Sequence, residues 1–67
     1  MFHVSKALMA KAQAALDGAV NRDEFIDIKG TNMILCPREK QPEKGFEPFG
    51  HIKKDGRSYA FGPYRAQ

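Results

Sequence analysis

An α+β fold is what this sequence predicts: one N-terminal helix packed on one face of an antiparallel sheet of about four strands. Three features carry that expectation. A stretch with helical spacing comes first, two β-prone runs flank Gly30 and Thr31, and a second pair flanks Asp55 and Gly56. The sheet is therefore read as two consecutive β-hairpins, laid out in chain order as a meander. At 67 residues the chain buries only about 60% of its unfolded surface, which allows one small core and a single domain spanning residues 1 to 67.

The helix is expected over about residues 6 to 17. Ser5 is placed as its N-cap, with Val4 before it and Met9 inside it at the spacing of a hydrophobic staple. Leu8, Ala12, Ala15 and Leu16 recur on one side, while Lys6, Lys11 and Gln13 lie elsewhere on the wheel. Gly18 is positioned to end the helix in a left-handed cap. The apolar stripe is alanine-rich and lacks the large anchors and broad basic face of a membrane-surface helix, so it reads as core packing.

The first hairpin is expected over about residues 25 to 36. A two-residue type II′ turn at Gly30 and Thr31 would set Ile28 opposite Met33 and Ile26 opposite Leu35, making one face wholly apolar. The other face then carries Phe25, Asp27, Lys29, Ile34 and Cys36. Pro37 closes this unit, and residues 37 to 45, with alternating charge, read as an exposed loop.

The second hairpin is expected over about residues 49 to 62, because Asp55 followed by Gly56 is among the strongest short-range turn signals. Pairing around it sets Lys54 opposite Arg57, Ile52 opposite Tyr59, Gly50 opposite Phe61 and Phe49 opposite Gly62. Ile52, Tyr59 and Phe61 then face the core. Each glycine lies across from a phenylalanine ring able to cover its backbone.

Charge is unevenly spread. The net charge is +3, and residues 49 to 67 hold Lys53, Lys54, Arg57 and Arg65 against Asp55, so the whole excess sits in the second hairpin and tail. Apolar runs are far shorter than the roughly 20 residues that span a bilayer, and Lys6 and Lys11 interrupt the N-terminal stretch where a signal peptide is continuous. A cytoplasmic protein is the expectation.

No constellation calls for catalysis or a cofactor. The one cysteine, Cys36, excludes an internal disulfide and a multi-cysteine metal site. His51 falls on the outward face with Cys36, yet no motif joins them as a nucleophile and base. His3 and His51 are distant and lack metal-ligand spacing. Asp23, Glu24 and Asp27 read as a solvated turn.

What remains is binding. A single helix covers one sheet face, so the other is expected to show Phe25, Ile34, Cys36, Phe49 and Ala60 with His51 and Lys53 at its border. The sequence thus predicts a non-enzymatic interaction protein, an inhibitor or adaptor, that holds an acidic protein partner or a second copy through that face and the basic hairpin. The contact residues would be Phe25, Ile34, Phe49, His51, Lys53, Lys54, Arg57, Tyr64 and Arg65. The alternative is a nucleic-acid-binding module led by Lys53, Lys54, Arg57 and Arg65.

The turn is directly testable. Gly56→Val should lower stability by about 1 kcal/mol or more, because a β-branched side chain resists the positive φ of a type I′ turn. An unchanged thermal midpoint would mean the hairpin is misread.

Overall fold

In the computed structural model, which describes residues 4–65, Ser5 opens helix α1 (Lys6–Asp17), its hydroxyl accepting the Leu8 N–H at 3.1 Å. His3, Ala66 and Gln67 lie outside the described residues. Ala12 and Leu16 are fully buried, with Val4, Leu8 and Ala15 packed beside them, while Met9 stays partly exposed. Gly18 ends the helix, but at φ −89° and ψ 0° rather than in the left-handed region expected of it. Its N–H still reaches the Ala14 carbonyl at 3.0 Å, so the last turn is closed without a positive φ.

Four strands follow: β1 (Ile26–Asp27), β2 (Met33–Pro37), β3 (Gly50–Lys54) and β4 (Arg57–Pro63), with a 3₁₀ turn at Arg38–Lys40. β1 and β2 pair as the apolar pattern requires, Ile26 against Leu35 and Asp27 against Ile34. The turn between them differs from the expected two-residue one. The Thr31 N–H donates to the Ile28 carbonyl at 3.2 Å, placing Gly30, at φ +79°, third in a turn over residues 28–31. Thr31 then closes the loop, its hydroxyl donating to the Ile28 carbonyl at 2.8 Å and accepting the Met33 N–H at 3.0 Å. Two- and four-residue connections keep the same strands facing each other, so the register survives the change of turn.

β3 and β4 pair in the expected register, from Lys54 against Arg57 to Gly50 against Phe61. Asp55 and Gly56 adopt φ +53° and +79°, as a type I′ turn demands. The Phe61 ring covers Gly50 so closely that a Cβ there would lie 2.7 Å from it.

Sheet order is where chain order misleads. The strands lie β1-β2-β4-β3, all antiparallel to their neighbours, so β4 is central and β2 runs parallel to β3 on either side of it. Parallel strands need a crossover of about a dozen residues, and residues 38–49 supply 12. Helix α1 occupies the face of Leu35, Tyr59 and Phe61. The crossover takes the other face, where the Glu47 carbonyl stands 1.9 Å from the place a Gly62 Cβ would occupy. With both faces covered, Tyr59, Ala60, Phe61 and Gly62 are all buried.

Pro48 explains how the crossover joins the sheet. Continued without interruption, the β3 register would put Pro48 opposite Pro63 in a slot that needs an N–H donor, which proline lacks. Instead the strand slips by one residue. Phe49 donates to the Phe61 carbonyl at 2.8 Å, Glu47 donates to the Pro63 carbonyl at 3.1 Å, and Phe46 bridges Tyr64. Phe49 and Gly50 together face Phe61, which is a β-bulge, and Pro48 moves to a position that needs no donor. Phe49 is therefore not set across from Gly62 as expected; the backbone of residues 47–49 presses on that glycine instead.

Gly62→Ala should cost about 1–3 kcal/mol or more in denaturant unfolding, because the added methyl meets backbone that must shift bodily. A cost near zero would mean the crossover does not rest on the central strand.

Candidate functional site

The face opposite the helix is not open. Ile34 is 7% exposed and Cys36 and Ala60 are wholly buried, so the expected apolar patch is largely closed and Ile34 offers no surface to a partner. Two aromatic rings and the crossover account for this. Phe25 lies just before β1 and Tyr64 just after β4, at opposite ends of a diagonal through Ile34. Strands two apart are about 9.5 Å from each other, so rings on β1 and β4 must lean over β2 to meet. They do meet, edge to face, with centroids 5.8 Å apart and planes at 71°.

The rim of that cover forms an open groove of about 820 Å³, lined by Phe25, Pro42, Glu43, Lys44, Gly45, Tyr64 and Arg65. Its walls are fixed by main-chain contacts. Tyr64 donates to the Asn32 carbonyl at 3.3 Å, and Arg65 donates to the Gly45 carbonyl at 2.9 Å. Gly45 sits at φ +81° against the Arg65 backbone, where a Cβ would come within 2.3 Å of the Arg65 carbonyl oxygen. Phe25 remains 48% exposed at the mouth. Neither Lys44 nor Arg65 has an ion pair among the described residues.

Arg57 and Lys54 are committed elsewhere. Lys54 bonds Asp17 at the end of α1 at 2.6 Å, and Arg57 bonds Asp23 at 2.5 Å and Glu39 at 3.0 Å while its guanidinium lies 5.6 Å from the Tyr59 ring centre. One hairpin tip thus ties together the helix end, the turn before β1 and the start of the crossover. Asp23 is an exposed turn residue, as its sequence suggests, and Arg57, 34 residues away, also draws it into a clasp. The Lys54 hydrogen bond holds Asp17 below the usual carboxylate range, and Arg57 does the same for Asp23. Glu39 is lowered too, first by its own backbone N–H and then by Arg57, whose own pKa is raised in turn by Asp23 and Glu39.

The nine residues singled out in the sequence therefore separate. Phe25, Tyr64 and Arg65 come together in the groove; His51 and Lys53 are exposed along β3; Lys54 and Arg57 belong to the clasp. Phe49 is half-buried at the bulge and Ile34 is enclosed. Cys36 and His51 share a cross-strand row but with Ala60 between them, and burial pushes the thiol pKa up, away from a nucleophile's needs. Nothing in the local sequence marks Pro42, Glu43 and Lys44 as neighbours of Tyr64, because only the path of the crossover brings them there.

No helix among the described residues is long and apolar enough to cross a membrane. The site and fold define a small α+β protein with a partly filled aromatic groove. No protein-family model, curated protein or solved structure matches this chain.

The clasp gives a pH prediction. Its carboxylates have folded pKa values below their unfolded ones, so their contribution is fully present above the unfolded values near 4 and is lost as pH falls through the lowered, folded ones. Melting midpoints should be flat near neutrality and decline below about pH 4. Arg57→Gln should lower the neutral midpoint and flatten that acid limb. An acid limb unchanged by the substitution would remove Arg57 from the clasp.

Proposed function

We propose that this protein is a non-enzymatic interaction module that holds a short acidic segment of a partner protein in the groove between Phe25, Tyr64 and residues 42–45. The observation that carries this reading is Phe25, a phenylalanine 48% exposed beside a ring that fixes its edge, at the mouth of a groove whose walls are held by backbone. Exposed aromatics in shaped depressions are the usual anchors of protein recognition. Lys44 and Arg65 against Glu43 give the rim a positive balance suited to acidic flanking residues.

The nucleic-acid reading is weakened in two of its four leading residues, while Lys53 and Arg65 stay available to it. Lys54 and Arg57 already face carboxylates, and phosphate contacts through them would have to displace those partners.

Panning a displayed peptide library on the wild type, with counter-selection on Phe25→Ala and Arg65→Glu, tests the groove. Enriched peptides should be acidic with an aromatic or aliphatic anchor. They should lose about tenfold or more in affinity for either variant, a loss of roughly 1.4 kcal/mol. Both variants should keep the wild-type circular dichroism spectrum. Peptides that bind the variants equally well would overturn the proposal, and a shift of random duplex DNA at about 150 mM salt would favour the nucleic-acid alternative.

A further inference from the structure

Sheet order leaves β3 at an edge, and its register says which backbone groups are unused. The two-residue turn makes Lys54 and Arg57 a hydrogen-bonded pair, so Ile52 with Tyr59 is another and the intervening residues, Lys53 and His51, turn their N–H and C=O groups away from β4. No backbone group among the described residues pairs with that outer side. The window is short. Pro48 and the bulge close one end and the turn at Asp55 and Gly56 closes the other.

We propose that this edge is a second docking site, accepting a short acidic strand of a partner protein by main-chain pairing to His51 and Lys53. Strand addition gets its affinity from the backbone and its selectivity from alternate side chains. Here those side chains are distinct. On the face away from the helix, His51 and Lys53 are exposed, and Lys53 has no ion pair among the described residues. A carboxylate directly across a strand from Lys53 would sit about 5 Å away, within reach of an ion pair. On the helix face, Ile52 is 6% exposed at the margin of the core and favours an apolar neighbour. The fitting strand therefore alternates acidic and apolar residues. A second copy of the chain fits poorly, because antiparallel pairing about Ile52 would put both Lys53 side chains on one diagonal.

The site stands independently of the groove, and its test keeps the two apart. The probes are a blocked octapeptide alternating glutamate and valine, its lysine–valine counterpart, and the glutamate peptide with alternate backbone nitrogens methylated. Amide NMR of the wild type should show the His51 and Lys53 N–H groups shifting and exchanging more slowly with the glutamate peptide alone. Lys53→Glu should reverse the preference toward the lysine peptide, a change on the order of tenfold each way. Phe25→Ala should leave this binding unchanged even though it empties the groove. Equal binding of the methylated peptide would overturn strand pairing in favour of loose charge attraction. No response at His51 and Lys53 up to millimolar peptide would leave Lys53 as a guard against edge-to-edge association, and a dimer sensitive to Lys53→Glu would make a second copy the occupant; either result overturns the proposal.

Discussion

Gly62 has no side chain, and the outer half of the fold rests on that fact. The Glu47 carbonyl lies where a Cβ would be, so the crossover sits directly on the central strand. That contact marks where the connection, once past β4, pairs along its far side and runs on into β3. The burial of Ile34, Cys36 and Ala60 follows from it. In so short a chain one helix cannot cover two faces, and a polar, charge-alternating loop serves as the second layer. Pro48 completes the arrangement by refusing the slot that a straight strand would assign it.

The same architecture redistributes charge. Of 11 lysines and arginines and eight aspartates and glutamates, the clasp pairs two cations with three anions, leaving nine against five on the rest of the surface. The most basic stretch of the sequence is thus electrostatically quieter than it reads. Lys53 and Arg65 of that stretch, with Lys44 from the crossover, have no ion pair among the described residues. Exposed pairs stabilise little one at a time, but here a single guanidinium joins two separate segments to one hairpin tip and lies over Tyr59.

Much of the fold was legible in the chain because its signals are local. Ser5 caps three residues ahead, Asp55 and Gly56 dictate their own turn, and the alternation of Ile26, Ile28, Met33 and Leu35 fixes which face is inward whichever turn joins the strands. The α+β class and the helix-facing core followed from these. Sheet order did not, because it depends on the path of residues 38–49, whose polarity says only that they are not core. Pro48 did hold a clue: in the uninterrupted register it occupies a donor position, a conflict that only a bulge resolves. The site was partly legible for the same reason. Phe25, Tyr64 and Arg65 stand out as residues, while their wall from residues 42–45 and the partners of Arg57 come from sequence distances at which local patterns are silent.

Cys36 draws one last meaning from the crossover. It is the chain's one sulfhydryl, wholly enclosed between the sheet and what lies over it. Any reagent that reaches it must wait for that cover to lift or for the whole molecule to open. The rate at which the thiol is alkylated therefore times the breathing of the second layer, and comparing it with global unfolding would separate a lid that moves alone from one that moves only with the core.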